Sequence, residues 1–183
     1  MKKLPYIVLF LTLISFPEYL RAQTYYQTTD AYVSFYSSAP VEDIQAESEQ
    51  GVSVVNIKTG EISFQVRIRS FDFPKELMEE HFNENYMESA KYPKAIFKGK
   101  AAEPINKSSG NQDIVFEGVF SVHGVEQKRK IPATIKFNGD QMLLKSKFNV
   151  AVKDHDIKIP RLLWQNIAEV IEVTVNANFK SID

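Results

Sequence analysis

The chain has 183 residues, no cysteine and a formal net charge of −1. Without cysteine there is no disulfide framework, thiolate metal site or catalytic thiol, and near-neutral charge argues against a dedicated nucleic-acid binder. Hydrophobic residues at 44% and charged residues at 25% are ordinary globular values, while 13 Phe and 8 Tyr are a surplus that suits a β-rich fold or an apolar cavity.

In chain order, the first feature is an address. Met1-Lys2-Lys3 is a positive start, Leu4–Phe16 is apolar, Pro17 breaks it, and Arg21-Ala22-Gln23 offers a small residue for cleavage. This pattern predicts a signal peptide over 1–22, followed by a domain over 23–183 that is exported to the periplasm or beyond. The apolar run is shorter than the about 20 residues a membrane-spanning helix needs. Removing Lys2, Lys3, Glu18 and Arg21 takes the formal charge from −1 to −3.

Alternation of period two dominates the remainder. Weaker strands are expected at Ala31–Ser37 and Gly51–Asn56, and Thr59-Gly60 predicts a tight hairpin into Glu61–Arg69. There Ile62, Phe64, Val66 and Ile68 face one way. Asp72 and Pro74 then signal a helix start, with Leu77, Met78, His81 and Phe82 on one face and an end near Asn83 or Asn85. A strand is expected at Lys94–Ala102. The polar loop Asn106–Asn111 holds Asn106-Lys107-Ser108, a glycosylation sequon by pattern only.

Ile114, Phe116, Gly118, Phe120 and Val122 alternate again, and Lys130–Phe137 adds a weaker strand. Asn138-Gly139-Asp140 predicts a hairpin into Met142, Leu144, Ser146, Phe148 and Val150. A short helical turn is expected at Arg161–Asn166 after Pro160. Ile171, Val173, Val175, Ala177 and Phe179 form the last run. About eight strands, short turns and one helix predict an all-β antiparallel fold, either a closed barrel or a two-sheet sandwich.

Chemical motifs are sparse. His81, His123 and His155 show none of the short metal-ligand spacings, and His81 reads as a partly buried anchor of the helix. Asp154-His155-Asp156 reads as a solvated loop, since adjacent side chains in extended backbone alternate in direction. There is no Gly-x-Ser-x-Gly elbow and no glycine-rich phosphate loop. Lys128-Arg129-Lys130 reads as an exposed hairpin end, and Trp164 with Leu162 and Leu163 as a cover for one end of a barrel.

Three stretches in order carry a resemblance. They are His81–Phe97, with Lys91-Tyr92-Pro93 leading into a strand; Gly118–Val125, a strand ending in His123-Gly124-Val125; and Phe148-Asn149-Val150 with Asp154–Pro160 and Ile167-Ala168-Glu169 before the final strand. Together they resemble the YceI-like family of secreted, lipocalin-like barrels. His155 and Asp156 depart from the family's Asp-Tyr-Gly-Ile, the spacing from His81 to Tyr86 is short, and Ala31–Asn56 fits loosely.

The resemblance implies an eight-stranded antiparallel barrel with an apolar interior that binds long isoprenoid chains such as polyprenyl lipids or quinones. It places the helix across or beside the barrel opening, with Tyr92-Pro93 restraining a strand start and Gly124 permitting a tight turn.

The expected function is a secreted, non-enzymatic lipid-binding protein without cofactor, metal or nucleic-acid partner. Phe64, Val66, Phe116, Phe120, Phe148, Val173 and Val175 are the interior residues expected to hold the chain. Two other readings stay open here. The same side chains would fill a packed barrel that serves as a protein-interaction module. A hydrolase or metal-dependent enzyme would need two of the histidines, or the Asp154–Asp156 cluster, together in a cleft.

Overall fold

The computed structural model describes residues 24–38, 43–108, 110–159 and 168–182. The signal segment and the Arg161–Asn166 turn with Trp164 lie outside these residues. Eight strands run β1 Tyr25–Ser37, β2 Ile44–Asn56, β3 Glu61–Arg67, β4 Lys94–Ala101, β5 Asn111–Val122, β6 Val125–Asn138, β7 Gln141–Ala151 and β8 Val170–Ile182. Each pairs antiparallel with the next, and β8 pairs back onto β1 to close a barrel. Closure removes the sandwich alternative and gives every strand a partner on each side.

The alternation dictates the two faces. On β7, Met142, Leu144, Ser146 and Val150 are buried while Leu143, Lys145, Lys147 and Asn149 are exposed. The β5–β6 hairpin turns through His123 and Gly124, with φ of 52° and 75°. Two left-handed central residues match the twist of the flanking strands. A side chain on Gly124 would also meet the Tyr92 ring at 2.5 Å. The β6–β7 hairpin turns tightly at Gly139-Asp140 as expected. The β2–β3 connection is longer than a tight hairpin. Residues 57–60 form it, and the Asn56 side chain accepts hydrogen bonds from the N–H groups of Lys58 and Thr59.

Several boundaries shift. β3 ends at Arg67 because Ile68–Ser70 coils into a helical turn, which carries the chain towards the barrel mouth. β4 ends at Ala101, one residue earlier than the pattern suggested. β6 starts at Val125, so Lys128-Arg129-Lys130 lies within a strand and not at a hairpin end. The helix, α1, spans Glu76–His81 and continues as a wider turn over Phe82–Tyr86. Neither piece contains a fully buried residue, and the segment is held to the barrel through the half-buried Phe82 and Tyr86, which pack against the core.

The interior has two halves. At one end Tyr26, Val55, Ile135, Met142 and Phe179 are wholly shielded and form a packed floor. Above it, Gly99 and Gly118 stand opposite each other on β4 and β5. A Cβ on Gly118 would lie 2.2 Å from the Lys98 carbonyl oxygen, so the two strands approach too closely for any side chain there. The other half of the barrel is hollow.

Candidate functional site

The hollow half is a cavity of about 140 Å³. All seven interior residues singled out from the alternation lie on its wall: Phe64 and Val66 from β3, Phe116 and Phe120 from β5, Phe148 from β7, and Val173 and Val175 from β8. Among the described lining residues only Ser146 is polar, and its Oγ donates to the Pro132 carbonyl oxygen at 2.5 Å. The wall therefore offers no free hydrogen-bonding group, and such a space favours apolar contents.

A second cavity of about 360 Å³ lies between α1 and the barrel rim. Phe73, Leu77, Met78 and Tyr86 contribute apolar surface, with Ser37, Lys75 and His81 as the polar groups. Phe35, Phe82, Met87, Val152, Ile157 and Ile171 line both spaces. The two cavities are thus consecutive chambers divided by a thin apolar partition. Rings of Phe35, Phe71, Phe73 and Phe82 cluster at centroid distances of 5.0–6.0 Å, and Phe35 stacks on Phe82 at 5.3 Å.

The partition is what sequence reasoning missed. Phe35 sits in a strand whose pattern was weak, because β1 carries register shifts between Thr28 and Val33. Its local signal was the Val33/Phe35 alternation. Phe82 was assigned to the apolar helix face, but nothing local said that this face meets a barrel mouth. Met87 had no periodic context at all.

The histidines fall in two places. His81 lies at the end of α1 and lines the outer chamber, half-buried as expected. His123 and His155 adjoin each other behind the cavity wall. His123 Nε2 lies 2.9 Å from Glu88 Oε2, and its Nδ1 lies 3.0 Å from the His155 carbonyl oxygen. His155 is not in a solvated loop. It closes the short helical turn Val152–His155 and is fully buried. Its ring stands edge-on to Phe120, and its Nδ1 faces the Val125 carbonyl oxygen at 3.3 Å, which requires the proton on Nδ1.

Burial pushes the His155 pKa below its ordinary value, opposed in part by the carbonyls of Val125 and Val122. Neither His123 nor His155 lines either chamber. Their contacts tie the segment after α1 and the turn after β7 to the β5–β6 hairpin. The Asp154 and Asp156 side chains are exposed, and no three metal-ligating side chains converge among the described residues. Among the described residues neither chamber brings two histidines together.

Comparison with known proteins places this architecture. Among curated proteins none matches the chain. A polyisoprenoid-binding domain from Saccharophagus degradans, implicated in plant cell wall breakdown, superposes with a TM-score of 0.73 at 12% identity, covering 88% of this chain and 100% of that one. BcnA of Burkholderia cenocepacia gives 0.71 at 13% identity, covering 82% and 96%. A YceI protein of Campylobacter jejuni gives 0.58 at 11% identity, covering 98% and 100%. These likenesses show a shared fold. The YceI-like domain profile matches residues 27–179, and the chain belongs to that family.

Proposed function

We propose that this protein is an exported carrier that holds the extended chain of an isoprenoid-type lipid inside the barrel, with Phe64, Val66, Phe116, Phe120, Phe148, Val173 and Val175 as the contact surface. The apolar cavity carries this reading. At about 24 cal/mol per Å³, leaving roughly 140 Å³ empty costs about 3 kcal/mol, a large share of a domain's net stability. The same chain packs its floor fully, so the hollow is not a general failure of packing.

Each CH₂ moved from water into the barrel contributes about 0.8 kcal/mol, so a long hydrocarbon binds well without polar contacts. Two chambers in series suit an elongated guest. The polyisoprenoid-binding function of the Saccharophagus domain supports the choice of ligand class. Export rests on the amino-terminal pattern, and the barrel has its own packing to replace disulfides outside the cell.

The test is organic extraction of protein purified from its own host, followed by mass spectrometry. A polyprenyl-type lipid in near-stoichiometric amount is the expected result. Extracts with no lipid, from protein prepared without detergent, would overturn the reading.

A further inference from the structure

The barrel wall has a seam. The β6–β7 ladder runs only from Ala133 opposite Ser146 to Asn138 opposite Gln141. Beyond it, residues 125–132 of β6 pair only with β5, and residues 147–151 of β7 pair only with β8. Pro132 marks where pairing stops, and proline has no N–H to give to a ladder.

Side chains stitch the gap in place of backbone. Ser146 donates to the Pro132 carbonyl, Arg129 to the Asn149 carbonyl, and Gln127 to the Asp154 carbonyl. Directly behind these stitches, Ile131, Phe148 and Val150 line the inner cavity. Side-chain bonds of this kind part individually, whereas a ladder parts cooperatively.

The outer surface beside the seam is basic. From Val125 to Ala151 the chain carries Lys128, Arg129, Lys130, Lys136, Lys145 and Lys147 against Glu126 and Asp140, a balance of +4. Strands β1 and β2 carry Asp30, Glu47 and Glu49 and no basic residue. The overall charge of −1 hides this polarity. Lys130 and Lys147 are ion-paired with Glu117 and Glu172. Lys128, Lys136 and Lys145 are exposed and form no ion pair among the described residues.

Apolar side chains interleave with these lysines. Val119 stands opposite Lys128, and Leu143 opposite Lys136, each on the outer face and 37% and 38% exposed. Lysines among exposed apolar residues suit the headgroup region of an anionic bilayer, which attracts the charge and accepts the apolar atoms.

We propose that the outer face of β6 and β7, with the adjoining part of β5, docks on an anionic lipid surface, and that the unpaired seam is a side passage from that surface to the cavity. The docking stands on charge and exposure alone. The passage rests on the lipid-binding reading above.

Docking is tested by floating the chain with vesicles of phosphatidylcholine alone or mixed with phosphatidylglycerol. Binding is expected only to the mixture and should fall as salt rises. K128E with K145E should weaken it by about tenfold or more, whereas K58E with R67E, the same charge change on the β2–β3 side of the barrel, should leave it within about twofold. Equal binding to both vesicle types, equal loss in both variants, or capture of an acidic protein without vesicle binding overturns the docking.

The passage is tested with Lys130→Cys and Asn149→Cys, which continue the β6–β7 register and are the only thiols in a chain without cysteine. A short bismaleimide bridge between them should slow uptake of a fluorescent polyprenol from the mixed vesicles by about tenfold relative to the unbridged variant. Unchanged uptake overturns the passage. No uptake by the unbridged chain overturns the lipid-binding reading and the passage with it, and leaves the docking to the vesicle result.

Discussion

Phe35 of the barrel wall and Phe82 after α1 stack with centroids 5.3 Å apart and ring planes only 24° from parallel. Both rings face both chambers. The contact joins the rigid sheet to a segment with no buried residue, so its strength decides how readily the chambers communicate.

Truncation at Phe82 therefore separates transport from stability. Phe82→Ala should merge the chambers and speed release of a bound fluorescent polyprenol several-fold, read by transfer to acceptor vesicles. The ring is half-buried, so the stability loss should stay below the about 3–5 kcal/mol typical of a fully buried Phe truncated to Ala. Release at the original rate would mean that the stack is packing only.

Filling the inner chamber should have the opposite signature. Val173 lies on the cavity wall, so the added ring of Val173→Phe has space to occupy. Stability by urea denaturation should change by less than about 1.5 kcal/mol, since the new ring fills a void and does not overpack a core. Lipid recovered by extraction should fall by about fivefold or more. Full recovery from a folded variant would remove Val173 from the binding surface.

The seven wall residues were legible because a strand's period of two assigns faces without tertiary information. Phe64, Phe116 and Val175 needed nothing more than their neighbours in sequence. Whether that wall encloses a hollow was not legible, since the same pattern describes a filled barrel. The hollow depends on how α1 and Phe82 cover the mouth, and those contacts join residues distant in sequence. His155 was misjudged for the same reason. Flanking aspartates suggest a solvated loop, but the turn Val152–His155 folds the ring inward against Phe120 while both carboxylates stay outside. The seam was invisible as well, because Pro132 alone does not say which neighbouring strand loses its partner.

The Gly99–Gly118 crossing should be intolerant of even one methyl group. In Gly118→Ala the new Cβ would lie 2.2 Å from the Lys98 carbonyl oxygen and 2.4 Å from the Gly99 Cα, both backbone atoms that no rotamer change can move. Strands β4 and β5 must then separate, at a cost of about 3 kcal/mol or more. Gly110→Ala, with open space around its Cα, is the matched control and should be neutral. Equal urea midpoints for the two variants would refute the crossing as a constraint.

His155 should make the fold acid-sensitive in a defined direction. Its pKa is lowered in the folded chain, chiefly by burial, so the unfolded state binds the extra proton first. The stabilising contribution is complete above the ordinary histidine value of about 6.5. It is lost as pH falls from there towards the lowered folded value, and levels off below it. His155→Gln retains an N–H donor for the Val125 carbonyl and cannot titrate. Urea midpoints at about pH 7.5 and about pH 5.5 should fall further in the original chain than in this variant, and the difference between the two drops is the His155 contribution. Equal drops would show that the buried ring does not set the acid response.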